Sequence, residues 1–241
     1  MDIVFDDGYS FGLGIFETMS VVDNNVILLD YHLDRLIDGA RFLGINSNIT
    51  KEKVFEYIKN NPIKNGVLKI IVSEKNVVFQ CRKNNYTSDK YKRGFSIKIS
   101  SIVRNESSPF TYIKSLNYGD NIMEKRRCLK EGYDEPVFLN TKGQLTEGAT
   151  TNIFFVSNNK IITPKLSCGL LNGTIRKYIL DKYDVIERFI YPYEISTFDE
   201  MFLTNSIMGI MPVYKFEEYI FKSRKKSDYI LNEYLKTRSY L

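Results

Sequence analysis

The sequence contains a single histidine, His32, and only three cysteines, Cys81, Cys128 and Cys168, which are widely separated. One histidine makes a histidine metal cluster or a Ser-His-Asp triad difficult to build. An odd number of scattered cysteines argues against a disulfide framework and against a paired-cysteine metal site, so we interpret them as buried or incidental thiols. Catalysis is therefore expected to depend on lysine, tyrosine and carboxylate side chains.

Long apolar runs are also missing. No run approaches the roughly 18–20 residues that a membrane helix needs, and the acidic opening Met1-Asp2 is not typical of a signal peptide. We therefore expect a cytoplasmic protein with no membrane partner. The 241 residues, 43% of them hydrophobic, could form one large domain or two modest ones.

The charge is basic but dispersed. The net charge is +5 and the pI is about 8.9, yet lysine and arginine form only short clusters, at residues 125–127 and 224–226. This distribution favours a solvated surface that modestly attracts a small anionic substrate, and it argues against a nucleic-acid partner.

Hydrophobic periodicity and turn residues predict an α+β chain. The predicted strands are Ile15–Val22, Val26–Leu29, Val67–Ser73, Val77–Arg82, Phe95–Val103, Pro136–Asn140, Asn152–Val156, Lys160–Thr163, Glu200–Thr204 and Ile210–Phe216. The predicted helices are Tyr31–Leu43 with Asp30 as its N-cap, Thr50–Asn60, a helix that Asp120 caps and that runs to Glu131, Thr174–Tyr183 and Ser227–Thr237. Linker-like composition after residue 103 predicts an N-terminal domain at 1–104, a linker at 105–113 and a C-terminal domain at 114–241.

Three side chains in the stretch from Tyr112 to Asn152 have the chemistry that a pyridoxal phosphate enzyme needs. Lys114 offers an amine for a Schiff base, Tyr118 a phenol for the cofactor's O3′, and Glu147 a carboxylate that keeps the pyridine nitrogen protonated. Each also has an ordinary interpretation, as a surface lysine, a packed tyrosine and a solvated turn residue.

The surrounding motifs resemble the fold-type IV pyridoxal phosphate enzymes. They are K-x-x-N-Y at Lys114, L-T-E-G-x-x-x-N-I-F at Glu147 and T-P-x-x-x-x-x-L-L-x-G-T-I-R before residue 177, between F-G-L-G-I-F-E-T and N-S-I-M-G-I-M-P-V. That family includes branched-chain and D-amino-acid aminotransferases and 4-amino-4-deoxychorismate lyase. The resemblance implies a two-domain fold, bound pyridoxal 5′-phosphate at the domain interface and a homodimer.

The resemblance also implies roles for individual residues. Lys114 would form the Schiff base and move protons, Tyr118 would bind O3′ and Glu147 the ring nitrogen. The implied phosphate anchors are Arg35 in H-L-D-R-L, Thr174, Ile175 and Ser206. From the residues alone, Arg35 could equally be a surface arginine and residues 172–174 a simple capped helix start.

Thr18, in F-E-T, bears on the reaction. Lyase-like members carry threonine at the matching position and branched-chain enzymes carry glycine, so the resemblance implies a hydroxyl that assists proton transfer as pyruvate is eliminated. A residue that merely fills a strand is the alternative. We expect a lyase that converts 4-amino-4-deoxychorismate to 4-aminobenzoate and pyruvate, with a D- or branched-chain aminotransferase and a basic binding protein as the alternatives.

One segment departs from the lyase pattern. Lyase-like sequences follow the strand at Val67–Ser73 with an arginine- and glycine-rich turn, from which an arginine receives a substrate carboxylate. This chain has S-E-K-N-V-V-F-Q-C-R there. The carboxylate pocket is expected to be rebuilt from Lys75, Arg82 or Arg104, or the substrate differs.

Overall fold

The computed structural model describes residues 3–239, which form two compact units. The first unit comprises residues 3–85 and 113–118, and the second comprises residues 86–112 and 119–239. Met1-Asp2 and residues 240–241, at the outer ends of the two predicted domains, lie outside the described part of the chain.

The first unit is a four-stranded antiparallel sheet covered on one face by helices. Its strands are β1 (Gly14–Val22), β2 (Asn25–Val26), β3 (Asn65–Ser73) and β4 (Val77–Lys83), in the order β2-β1-β3-β4. Its helices are α1 (Asp7–Phe11), α2 (Leu29–Phe42) and α3 (Lys51–Asn60).

Strand alternation decides which side chains of the first sheet enter its core. Ile15 and Met19 of β1 and Leu68 of β3 point to one face, where they pack with Leu33 of α2 and Val54 of α3. Residues two apart on a strand share a face, so Phe16 and Thr18 belong to the opposite face. Helix α2 likewise buries only one face, because its buried residues recur at three- and four-residue spacing.

The second unit is built on a nine-stranded sheet. Because β7 pairs with both β6 and β8, the six strands β8-β11-β12-β5-β6-β7 form a closed ring. Its strands are β5 (Phe95–Arg104), β6 (Glu135–Asn140), β7 (Leu145–Gly148), β8 (Asn152–Ser157), β9 (Lys160–Pro164), β10 (Val185–Arg188), β11 (Glu200–Asn205), β12 (Gly209–Phe216) and β13 (Tyr219–Ile220). Its helices are α4 (Ser88–Arg93), α5 (Gly119–Lys130), α6 (Thr174–Lys182) and α7 (Lys225–Ser239).

The ring of strands is filled with apolar side chains. One buried cluster draws on nearly every strand of the ring, through Ile97, Val137, Leu145, Phe155 and Leu203. The second unit therefore has a core of its own.

The observed division of the chain differs from the sequence-based boundary at residues 105–113. Strand β5 belongs to the second unit because it pairs in parallel with β12 and β6. The segment 113–118 belongs to the first unit because it hydrogen-bonds along β1: the Phe16 N–H donates to the Lys114 carbonyl at 2.9 Å, and the Leu116 N–H donates to the Gly14 carbonyl at 2.8 Å.

Several local predictions also need correction. The strand expected at Val26–Leu29 ends at Val26, because Leu28 adopts a left-handed conformation (φ 55°) and α2 begins at Leu29. Asp30 therefore lies in the first turn of α2 instead of capping it. Helices α1 and α4 were not predicted. Strands β7, β10 and β13 were not predicted.

No helix among residues 3–239 is long and apolar enough to cross a membrane.

Candidate active site

Lys114 lies beside β1 in the first unit. Its segment runs along the start of that strand, and an isolated bridge joins Ser115 to Ile15. The Lys114 Nζ lies 4.3 Å from the centroid of the Phe16 ring and 4.8 Å from that of the Tyr118 ring. These two rings meet edge to face at 5.1 Å. The predicted lysine and tyrosine are therefore held together, against an aromatic residue of β1.

Thr18 lies on the same sheet face as Phe16, two residues further along β1. It is half-buried and stands directly opposite Lys69 of β3. This face is the one that α2 and α3 do not cover. The structure thus brings the predicted hydroxyl to the face that carries the lysine's aromatic neighbour.

Arg35 extends from α2 to the helix-covered face of the sheet. It forms a two-bond pair with Glu17: Nε to Oε1 and Nη2 to Oε2, each at 2.7 Å. His32 Nδ1 lies 2.6 Å from the same Oε2. Glu17 and His32 are each 1% exposed. Arg35, which is predicted to bind the cofactor phosphate, is therefore oriented by a buried carboxylate.

Both pKa values in this cluster are shifted downward, for different reasons. Burial by itself raises the pKa of Glu17, but the positive charge of Arg35, followed by His32, outweighs it and holds the pKa at about 2. Burial lowers the pKa of His32, although Glu17 acts in the opposite direction. Glu17 is thus ionised at neutral pH and accepts bonds from both Arg35 and His32.

In the second unit, Glu147 projects from β7 with 6% of its surface exposed. Its Oε1 lies 3.1 Å from Arg104 Nη2, and its Oε2 accepts the Leu171 N–H at 3.0 Å. The Arg104 guanidinium also donates to Asn121 and stacks 4.1 Å from the Phe138 ring centroid. Arg104 is the counter-charge that allows this carboxylate to be buried.

The start of α6 brings Thr174 and Ser206 together. Their hydroxyl oxygens are 2.7 Å apart, Ser206 being in the turn between β11 and β12. The first intrahelical bond runs from the Lys177 N–H to the Gly173 carbonyl at 2.8 Å, so the N–H groups of Thr174 and Ile175 precede it. Hydroxyls and leading N–H groups at a helix start suit an anion such as phosphate.

Comparisons with known proteins identify the family of this chain. The sequence profile of the family described as amino-transferase class IV matches residues 14–216. The chain belongs to the class IV aminotransferase family. It is 30% identical over 243 residues to an aminodeoxychorismate lyase of Bacillus subtilis (strain 168), a match that covers 91% of this chain and 83% of that protein.

A second class IV relative has a different reaction. A D-alanine aminotransferase of Bacillus licheniformis is 26% identical over 231 residues, covering 86% of this chain and 80% of that protein. Among solved structures, a 4-amino-4-deoxychorismate lyase from Pseudomonas aeruginosa superposes with a TM-score of 0.86 at 22% identity, covering 97% of this chain and 94% of that chain. The predicted fold is confirmed.

Class IV enzymes of this kind depend on pyridoxal 5′-phosphate, and the residues present fit that cofactor. The first unit places an amine beside a phenol, and the second unit has a buried carboxylate and, at a helix start, two adjacent hydroxyls. Glycine is needed at position 173, because a Cβ there would lie 2.0 Å from Asn152 Oδ1. Asn152 in turn donates to the Leu171 carbonyl at 2.8 Å, which holds the chain before α6 in place.

Sequence reasoning missed two side chains that pair with predicted site residues, Glu17 with Arg35 and Arg104 with Glu147. The ion pair of Glu17 could have been expected from its position, since a carboxylate on the apolar face of a strand needs a partner. Arg104 was considered only as a linker residue or a carboxylate receptor, and the structure pairs it with Glu147.

Proposed function

We propose that this class IV enzyme is an aminodeoxychorismate lyase, which converts 4-amino-4-deoxychorismate to 4-aminobenzoate and pyruvate for folate synthesis. The observation that carries the proposal is the Thr18 hydroxyl on the sheet face that carries Phe16, the ring against which Lys114 lies. The 30% identity to a lyase along most of both chains supports it.

The reaction needs two proton movements. It removes the proton at ring carbon C4, which bears the amino group, breaks the C3–O bond to the enolpyruvyl group, and adds a proton to the departing enol to give pyruvate. Bound pyridoxal phosphate supplies an electron-withdrawing ring that stabilises negative charge at C4. In this proposal, Lys114 takes the C4 proton as a neutral amine, and Thr18 positions or delivers the proton at the departing group.

The remaining site residues hold the cofactor in this proposal. Tyr118 donates to the ring oxygen O3′, and Glu147, supported by Arg104, keeps the ring nitrogen protonated. The phosphate is bound by Arg35, Thr174, Ile175 and Ser206, of which Ile175 contributes its backbone N–H. Glu17 orients Arg35 through two of its guanidinium nitrogens.

The test is to supply the cofactor-loaded enzyme with 4-amino-4-deoxychorismate and to follow both products together. We expect equimolar 4-aminobenzoate and pyruvate, with activity and the visible absorption of the bound cofactor both lost in Lys114→Ala. Thr18→Val should slow release by roughly 10²-fold, the lower end of general acid–base effects, and Thr18→Ser should restore most of the rate. A cofactor-loaded enzyme that releases neither product would contradict the proposal.

The alternative is transamination of D- or branched-chain amino acids. The D-alanine aminotransferase relative favours it, and the same lysine and cofactor would serve. A panel of L- and D-amino acids with 2-oxoglutarate or pyruvate as acceptor would distinguish the two reactions. Membership of the family makes the chain an enzyme, which replaces the earlier alternative of a basic binding protein.

We further propose a cytoplasmic homodimer acting on a small anionic substrate. Phe5, Tyr9 and Phe11 of the first unit are about two-thirds exposed or more, at 69%, 73% and 67%, and aromatic residues are enriched at interfaces. All three cysteines are free thiols, which suits a reducing compartment. Sedimentation at micromolar concentration should give twice the chain mass of 28.1 kDa, and a monomer would contradict the dimer.

A further inference from the structure

The turn that carries Ser206 is shaped by the asparagine before it. This Ser206 turn, residues 205–208, joins β11 to β12 in the second unit. The Asn205 Oδ1 accepts the N–H groups of Ile207 at 3.0 Å and of Met208 at 2.9 Å. A side chain that bonds the backbone two and three residues ahead favours a tight turn. The position of the Ser206 hydroxyl therefore depends on how the two ends of this turn are held.

Two tyrosines of the second unit bond to those two ends. The Tyr91 hydroxyl donates to the Met208 carbonyl at 2.6 Å, and the Asn205 Nδ2 donates to the Tyr86 hydroxyl at 3.3 Å. Tyr91 belongs to α4 and Tyr86 lies just before that helix. Met208 is fully buried, so water cannot replace a bond that its carbonyl loses. One hydroxyl thus contacts the turn on each side of Ser206.

Helix α4 is itself fixed to the rest of the second unit. Arg224 donates from Nη2 to the Tyr91 carbonyl and from Nη1 to the Lys92 carbonyl, each at 2.8 Å. The same guanidinium pairs with Asp228 of α7 at 2.7–3.0 Å. A cation that binds the last carbonyls of a helix stabilises that end. Tyr91 therefore reaches the Ser206 turn from an anchored position.

Ring packing does not account for the two hydroxyls. Both tyrosine rings are partly buried against the apolar core of the second unit, a task that phenylalanine performs equally well. The hydroxyls are instead bonded to Asn205 and to Met208. Gly209, the first residue of β12, adds a further constraint, because a Cβ there would lie 2.4 Å from the Tyr234 ring.

We propose that Tyr91 and Tyr86 are positioning residues for the cofactor phosphate. They hold the Ser206 turn so that its hydroxyl stays 2.7 Å from that of Thr174 at the start of α6. The inference rests on the phosphate-binding role proposed above for Ser206 and Thr174, and it gives α4 a task in cofactor binding. Neither tyrosine needs to touch the cofactor in this arrangement.

The experiment compares pyridoxal 5′-phosphate with pyridoxal. Pyridoxal has the same ring and aldehyde but no phosphate, so the comparison isolates binding through the phosphate. Each ligand is titrated into the full-length chain freed of cofactor, and the visible absorption of the bound ligand gives its dissociation constant. Urea unfolding without ligand reports the stability of every variant.

The variants remove single hydroxyls and keep the rings. Tyr91→Phe and Tyr86→Phe test the two bonds to the turn, and Ser206→Ala provides the reference for a phosphate contact. Tyr219→Phe is the matched control, because its hydroxyl also donates to a backbone carbonyl of the second unit, that of Ser196 at 3.3 Å, in a segment with no predicted cofactor contact.

We expect Tyr91→Phe to weaken binding of pyridoxal 5′-phosphate by about 3- to 10-fold, the range given by the loss of one hydrogen bond. Its affinity for pyridoxal should be unchanged within error. Tyr86→Phe should show a smaller loss with the same selectivity, because its bond is longer. Ser206→Ala should lose at least as much affinity for pyridoxal 5′-phosphate as Tyr91→Phe, and Tyr219→Phe should match the parent.

The possible failures are distinguishable. An unchanged affinity for pyridoxal 5′-phosphate in Tyr91→Phe, with a selective loss in Ser206→Ala, would reject the positioning role and keep Ser206 as a phosphate ligand. Equal losses for the two ligands in Tyr91→Phe would also reject it, because they would indicate a general disturbance. No loss in Ser206→Ala would reject both the Ser206 contact and this inference. A selective loss in Tyr91→Phe, in an enzyme that releases no 4-aminobenzoate, would reject the lyase and keep the positioning role.

Discussion

Replacing Glu17 with glutamine tests the buried cluster of the first unit. The carboxylate is 1% exposed and accepts bonds from both Arg35 and His32 at 2.6–2.7 Å. Glutamine has nearly the same shape, so Glu17→Gln removes the charge without opening a cavity. Arg35, with 16% of its side chain exposed, is then left largely buried with no carboxylate at Glu17's position.

The size of the effect follows from the pKa. Glu17 is lowered from 4.5 to about 2, and one pKa unit corresponds to about 1.4 kcal/mol, so the folded state favours the ionised form by about 3 kcal/mol. Breaking a buried ion pair by removing one partner typically costs about 3–5 kcal/mol. We therefore expect Glu17→Gln to lower the free energy of unfolding by about 3 kcal/mol at pH 7.

The pH dependence gives a second measure of the same cluster. A depressed pKa in the folded state contributes stability that is present above the unfolded value and is lost as the pH falls through the folded value. The Glu17 contribution should thus disappear between about pH 5 and pH 2. The lowered pKa of His32 acts in the same direction below its ordinary value of 6.5, since the unfolded chain binds that proton first.

Urea unfolding without added cofactor, from pH 3 to pH 7, measures both quantities. Asp38→Asn is the control, because it breaks a solvent-exposed ion pair with Arg41 on the same helix and should leave stability unchanged within error. Glu17→Gln should be less stable at pH 7 and should have a flatter acid limb than the parent. A variant within 1 kcal/mol of the parent at pH 7, with the parent's acid slope, would refute the reasoning.

Two further predictions concern the second unit. Arg104→Met leaves the buried Glu147 carboxylate without its counter-charge, so the free energy of unfolding should fall by about 3 kcal/mol. Titration with the cofactor should also show weaker binding. An unchanged affinity for the cofactor would contradict the role of Arg104 in supporting Glu147. Gly173→Ala places a Cβ 2.0 Å from Asn152 Oδ1 and should weaken cofactor binding. Gly119→Ala is the control, because a Cβ there has nothing within 4 Å and should leave cofactor binding unchanged. Equal affinities of the two variants for the cofactor would contradict the steric argument.

Local sequence signals predicted the regular elements well where one face was apolar. The strand expected at Ile15–Val22 begins one residue earlier, and the helix expected at Thr174 starts there. These elements are long, and their apolar spacing matches the period of the structure. Strand β7 was not predicted because it has only four residues, ends in Gly148 and has a sequence typical of a turn.

Long-range partners could not be predicted in the same way. Alternation along β1 places Glu17 on the apolar face, but nothing in the sequence says that α2 will bring both Arg35 and His32 to it. The face of Lys69 depends on the register between β1 and β3, which only the pairing fixes. The motif resemblance identified the residues expected to contact the cofactor. It did not identify the side chains that pair with those residues and hold them in place.

The Lys114 segment also has a consequence for the order of folding. The Lys114 carbonyl accepts a hydrogen bond from the N–H of Phe16, about 100 residues earlier in the chain. When Lys114 emerges from the ribosome, the residues between the two have already emerged. At translation rates of 5–20 residues per second, roughly 5–20 s separate the synthesis of the two partners. The first sheet can therefore pair β1 with β3 well before its lysine is available. Docking of residues 113–118 would be a late event, and a nascent chain stalled before it would carry a folded sheet with no capacity for catalysis.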